Sequence, residues 1–198
     1  ADLFTRVPYI LVDSREDVQA FLGFRHVTGI KQWDADEKAG FIARLIDNKG
    51  LSYERIMRKI GSNTPTVRKH YIAYRLLLQI EDSVAAFKSE WAENRFAILY
   101  MSVATEGVKN YLKIDIMAEP KKAKRPVPET HLKNLADFAL WLFGTEDTLP
   151  LITDTRQVSA FGKALESDEA VQYLERTSSP NLEVAFRIAG GDESEVVR

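Results

Sequence analysis

Residues 51–78 constrain the fold more tightly than any other part of the chain, because they carry the spacing of a helix-turn-helix. Two short helices that cross steeply need a glycine at the turn and fixed apolar positions to lock the angle. Ile56 and Ile60 lie four apart on the first helix, Gly61 follows directly, and Val67 falls six residues beyond it. Asn63 or Thr64 is expected to cap the second helix, with Pro65 at the first helical position, where a missing N–H is harmless. The second helix then presents Thr66, Arg68, Lys69 and His70 away from the apolar side. In a DNA-binding motif of this type, the N-terminal residues of the second helix reach base edges in the major groove, and lysines and arginines hold phosphates. The expected contacts to double-stranded DNA are Lys49, Arg58, Lys69 and Arg75 on phosphates, and Ser62, Asn63, Thr64, Thr66 and Arg68 on bases or phosphates, with Ser52 beside them at the start of the first helix. Met57 stands where a small residue commonly lets the helices approach, and Ser62 replaces a common apolar residue after the glycine. A helical hairpin in an all-α core, or a winged-helix relative used for protein contact, shares the same spacing.

Charge points to the same region. Over 198 residues the net charge is only −2, but it is unevenly spread. Residues 1–48 hold 6 Lys/Arg and 8 Asp/Glu, residues 49–125 hold 15 and 8, and residues 126–198 hold 6 and 13. A basic block between acidic ends places a polyanion contact in the middle of the chain. Within 49–75 there are seven Lys/Arg and a single acid, Glu54. The chain has no Cys, which excludes disulfides, thiolate metal sites and a cysteine nucleophile. Its three histidines, His26, His70 and His131, are far apart, so no metal and no cofactor are expected. No run approaches the ~20 apolar residues of a membrane span, and the N-terminal residues lack the charged-then-apolar order of a signal peptide. The expectation is a cytoplasmic protein without membrane contact, associated with nucleoid or plasmid DNA.

The rest of the sequence is read as mainly α with a small α/β remnant at the N-terminus. Residues 8–13 are a short apolar, β-branched run with the character of a buried strand, and Ser14 is placed to cap a helix from Arg15 that Gly23 ends. Residues 24–33 read as a loop. A helix is expected over 34–47, opened by Asp36 and Glu37 and carrying Phe41, Ile42, Leu45 and Ile46 on one face. Residues 71–78, 83–99 and 106–116 continue the helical pattern. Residues 118–128 hold three prolines and four basic residues and read as a linker. Beyond it, amphipathic stretches at 131–143, 153–165, 168–176 and 181–189 form an acidic helical part, and 191–198 a frayed tail. The expected organisation is therefore 1–33, a DNA-binding unit at 34–117, a linker at 118–128, and a C-terminal domain at 129–198.

The residues Leu51-Ser52-Tyr53-Glu54-Arg55-Ile56-Met57-Arg58-Lys59-Ile60-Gly61, followed by Thr66-Val67 and Leu76-Leu77, resemble the helix-turn-helix of ParB-type partition proteins. That family shows a similar Ser-Tyr-Glu-x-Ile stretch, an Ile-Gly turn, and Thr-Val early in the recognition helix. The resemblance covers about residues 33–81 and implies DNA binding in plasmid partition or transcriptional regulation. In the family, a ParB/sulfiredoxin-like domain precedes the motif and holds nucleotide phosphates through Gly-Glu-Arg-Arg. Gly23-Phe24-Arg25-His26 stands at the corresponding distance here, which implies a residual phosphate contact at Arg25 and His26. Phe24 and His26 depart from the motif, so CTP hydrolysis is not carried over, and the absence of Cys excludes sulfiredoxin chemistry. The sequence ahead of Gly23 is short for that whole domain. Residues 1–33 are expected to be either its last part, in a longer protein, or a reduced version.

Other features have ordinary explanations. Lys121, Lys122, Lys124 and Arg125 read either as a phosphate-binding arm beside the motif or as a solvated linker. Trp33, Trp91 and Trp141 sit beside helical apolar positions and are expected in the core. The pairs Glu81-Asp82, Glu146-Asp147 and Asp168-Glu169 suit helix starts and loops, and no catalytic residue is assigned. Asp154-Thr155-Arg156 suits a surface contact. No phosphate-binding glycine loop, dinucleotide fingerprint or nucleophile elbow is present. A homodimer is expected, since one such module buries little surface on DNA. Two other classes share the pattern: a nucleotide hydrolase or nuclease built on the remnant near Arg25 and His26, and an adaptor whose helices bind only protein.

Overall fold

The computed structural model describes residues 11–15, 18, 34–85 and 87–192, and these form a mainly helical fold with no strand among them. Of the expected α/β remnant, only residues 11–15 and 18 are described. Leu11 is 86% exposed and Val12 is also exposed, so residues 11–13 do not form the buried strand expected at 8–13. A strand is stable only when its backbone groups pair with a neighbour, and no described residue offers one. Arg25, His26 and Trp33 lie outside the described residues.

Helix α1 (Ala35–Asp47) carries Asp36 and Glu37 in its first turn and buries Ala39, Ile42, Ala43 and Ile46 on one stripe. Helix α2 (Tyr53–Ile60) is capped by Ser52, whose Oγ accepts from the Arg55 N–H at 3.3 Å. It buries Tyr53, Ile56 and Ile60. Gly61 ends it in the left-handed region, at φ 63° and ψ 36°. This conformation costs a glycine little and an L-residue roughly 1–2 kcal/mol. Helix α3 (Thr64–Ser83) opens after Asn63, whose side chain accepts from the Thr66 N–H at 2.8 Å, with proline in the first turn.

α3 is the centre of the molecule. α1, α2, α4 (Phe96–Ser102), α6 (Pro120–Ala123) and α7 (Leu132–Phe143) all pack on it. Val67, Tyr71, Ile72, Ala73, Leu76 and Ile80 are fully buried, and no residue from Thr66 to Ile80 is fully exposed. α5 (Glu106–Leu112), α8 (Val158–Ala164), α9 (Asp168–Arg176) and α10 (Leu182–Ile188) complete a second layer, with α8 against α4, α5 and α10. α5 and α8 meet where Gly107 faces Gly162, so closely that a Cβ on Gly107 would stand 1.9 Å from the Gly162 carbonyl oxygen.

The helix expected over 83–99 is broken. α3 stops at Ser83, a short 3₁₀ turn occupies Ser89–Ala92, and Asn94 takes φ 60° before α4 begins. The break lets Phe87 reach Phe143 (5.3 Å between ring centres) and Trp91 meet Phe87 edge-on. It also turns Arg95 across to α7, where Nε and Nη2 donate to the Leu142 carbonyl at 2.9 and 2.6 Å and Nη2 also to that of Ile152. Arg95 thus satisfies a carbonyl that the end of a helix leaves without an intrahelical donor.

The expected linker is packed. Ala118, Ala123 and Val127 are buried, and Gln79 of α3 binds both the N–H and the C=O of Val127. One cluster of buried residues runs from Ala39 to Phe186 across the boundary expected at 118–128. Residues 129–192 therefore share a core with the helix-turn-helix. The physical reason is sparse but well-spaced apolar side chains, at 118, 123 and 127, whose partners lie about fifty residues away.

Candidate nucleic-acid interface

α2, the Gly61 turn and α3 form the expected bihelical unit. The Met57 carbonyl accepts from the N–H groups of both Gly61 and Ser62, which closes the turn. Met57 fits where a smaller residue was expected because it lies at the edge of the contact, half-buried, with Thr64 Oγ1 donating to its sulfur at 3.3 Å. Past the turn, Asn63 and Pro65 are exposed and Ser62, Thr64 and Thr66 half-exposed, so the tip of α3 projects. From Val67 onward the helix is largely enclosed.

The outer face of α2 is cationic. Residues 53, 56 and 60 face inward, and helical geometry turns 54, 55, 58 and 59 to the opposite side. Arg55, Arg58 and Lys59 are all exposed there, beside Glu54. The Glu54 carboxyl is held below its ordinary range by a backbone hydrogen bond at the helix start and by the Ser52 hydroxyl, so it stays ionised. Arg55 and Lys59 were not singled out by sequence. The signal that finds them is the position of the buried stripe, which the charge count alone does not use.

The expected contact residues divide into two groups. Lys49, Ser52, Arg58, Ser62, Asn63, Thr64 and Thr66 stand at the surface of the motif or its rim. Ser52 and Asn63 spend a side-chain oxygen on helix caps. Arg68, Lys69 and Arg75 are engaged within the protein. Lys69 Nζ lies 4.0 Å above the Tyr100 ring, half-buried, and burial lowers its pKa. Arg75 donates Nε to the Lys124 carbonyl at 3.0 Å and pairs with Asp47 at 3.5 Å.

Arg68 is the main correction. It is 9% exposed, covered by Tyr53 and by the residues at 117–119. Its guanidinium sits 5.0 Å from the Tyr53 ring centre, 3.5 Å from Met117 Sδ and 3.4 Å from Glu119 Oε1, while Nε has no partner. The apolar pattern of α3 could not reveal this, because a helix covered on every side has no polar face to spare. A buried guanidinium with long, incomplete contacts contributes little net stability. Arg68→Met, which keeps the length of the stem, is expected to leave thermal stability within about 1 kcal/mol of wild type. It should also leave duplex affinity unchanged within about threefold. A large loss of affinity with unchanged stability would show that Arg68 turns outward to bind.

His70 is also internal. Nδ1 lies 2.8 Å from the Thr66 carbonyl, so the neutral ring carries its proton there, and the ring packs at a tilt of 42° against Tyr100, 4.4 Å between centres. Burial, helped by Lys38 and Lys69, pushes its pKa down to about 4. An unfolded histidine titrates near 6.5. The stabilisation is therefore complete above pH 6.5 and is lost as pH falls from 6.5 through about 4, where the unfolded chain binds a proton that the folded chain refuses. The loss amounts to about 3 kcal/mol at the acid end. As pH falls from 6.5 to 4, the urea midpoint of wild type should drop relative to that of His70→Gln, whose side chain does not titrate; parallel curves would mean a solvated ring.

Among the described residues there is no cluster able to hold a metal ion, and no helix is long and apolar enough to cross a membrane. No protein-family model, curated protein or solved structure gives a significant match to this chain.

Proposed function

We propose that this chain is a ParB-like protein that binds double-stranded DNA through α2 and the first turn of α3, in plasmid partition or transcriptional regulation. What supports it most is one juxtaposition: a projecting, capped first turn of α3 next to the exposed Arg55, Arg58 and Lys59 of α2. In a helix-turn-helix complex the N-terminal end of the second helix enters the major groove and the first helix crosses the backbone. Ser62, Thr64 and Thr66 are then the base-reading groups, and the α2 cations neutralise phosphates. A second copy on an adjacent half-site supplies the remaining interface, and the working location is the cytoplasm, on nucleoid or plasmid DNA.

Selection of bound duplexes from a random pool at ~0.1 M salt tests this directly. Enrichment of a shared sequence is the expected result, and a pool that passes through without retention would sink the reading. The adaptor alternative has one observation in its favour. An open groove of about 780 Å³ lies between α7, α9 and the loops at 147–151 and 177–181, with exposed Leu140 and Leu149 at its wall. Hydrolase or nuclease chemistry at Arg25 and His26 concerns residues outside those described.

A further inference from the structure

Residues 117–127 run beside α3 in the same direction for most of its length. Met117 and Glu119 meet Arg68, the Pro120 carbonyl lies 3.5 Å from Tyr71 Oη, whose proton goes to Asp47 Oδ1 at 2.7 Å, the Lys124 carbonyl accepts from Arg75, Val127 pairs with Gln79, and Arg125 reaches Asp82 at 2.7 Å. The partners 68, 71, 75, 79 and 82 step by three or four and form a single stripe of the helix. Near the start of this strap, Tyr53 Oη donates to the Ala118 carbonyl at 3.1 Å, tying it to α2 as well. The backbone is thereby fixed, and Ala118, Ala123 and Val127 take the inward positions.

The cations of the strap point out. Arg125 is occupied by Asp82 and Glu129, and Lys124 lies 3.9 Å from Asp47. Lys121 and Lys122 are exposed and have no acidic partner among the described residues. Pro120, just before them, touches the hydroxyl of Tyr71, a residue seven beyond Thr64. At 1.5 Å per residue that is ~10 Å along α3 from the projecting turn. A side chain at the floor of a major groove ~12 Å wide and ~8.5 Å deep is likewise ~10 Å from the phosphates at the groove's edge.

We infer that Lys121 and Lys122 grip the phosphate backbone flanking the groove that α3 enters, so that the strap is a second, sequence-independent part of the DNA interface. This rests on the DNA-binding reading above. Each phosphate contact adds about 0.9 to the slope of log affinity against log salt. Lys121→Ala/Lys122→Ala is expected to lower the slope by about 1.8 and to weaken duplex binding at ~0.1 M salt more than tenfold. The selected sequence and the thermal midpoint should not change, because phosphates carry no sequence information and both side chains are exposed. Removing the same charge on the C-terminal helices, with Lys163→Ala/Arg176→Ala, should leave the slope in place. An unchanged slope in the strap variant, with wild-type binding intact, overturns this inference and spares the helix-turn-helix. A wild-type chain that binds no duplex overturns both.

Discussion

Gly107→Ala should destabilise the protein by about 3 kcal/mol or more, lowering the thermal midpoint by roughly 6–12 °C. The added methyl would stand 1.9 Å from the carbonyl oxygen of Gly162 and 2.9 Å from its carbonyl carbon. Both obstacles are backbone, in the middle of α8, so no rotamer change relieves the clash and α5 must move away from α8. Alanine is worth up to about 1 kcal/mol more than glycine inside a helix, which offsets only part of the loss. Gly162→Ala is the informative comparison. Its methyl meets the Thr105 side chain at 2.7 Å, and that side chain can shift, though it also caps α5 by accepting from the Val108 N–H at 3.4 Å. The expected order of midpoints is wild type, Gly162→Ala, Gly107→Ala. A Gly107→Ala protein as stable as wild type would show that α5 and α8 do not touch.

The largest expected effect on binding comes from the triple variant Arg55→Ala/Arg58→Ala/Lys59→Ala. All three side chains are exposed on α2, so thermal stability should stay within about 1 kcal/mol. If each holds one phosphate, the salt slope falls by about 2.7 and affinity at ~0.1 M salt drops roughly 10²- to 10³-fold. Fluorescence anisotropy with the selected duplex, repeated across a salt series, reads both quantities. Should the triple variant bind as tightly as wild type, α2 is not the helix that crosses the backbone.

Local features of this fold were legible in advance and distant ones were not. The helix over Asp168–Arg176 has the bounds expected from its amphipathic stretch, with Ser167 Oγ accepting from the Ala170 N–H at its start, and α10 starts where Asn181 caps it. The same holds for the helix-turn-helix, where Ser52, Gly61, Asn63 and Pro65 act within a few residues of their own position. The inward turn of Arg68 depends instead on Met117 and Glu119, about fifty residues away, and no periodicity in α3 encodes it. The strap misled for a related reason. Prolines and lysines have the composition of a linker, yet Pro120 begins a helical turn and the apolar contacts are made by two alanines and one valine. Arg55 and Lys59 were accessible to simple helix geometry once Tyr53, Ile56 and Ile60 were placed inward.

The enclosure of α3 has a consequence for how such a protein can diverge. Nearly every residue from Val67 to Ile80 is held by neighbours, whereas Ser62, Thr64 and Thr66 are half-exposed and, apart from the Thr64 contact to Met57, carry few obligations beyond the turn itself. If the tip reads DNA as proposed, the residues that choose a target and those that keep the chain folded are therefore largely separate sets along Ser62–Ile80. New target preferences are reachable through substitutions at the tip, one at a time, without compensating changes in the interior.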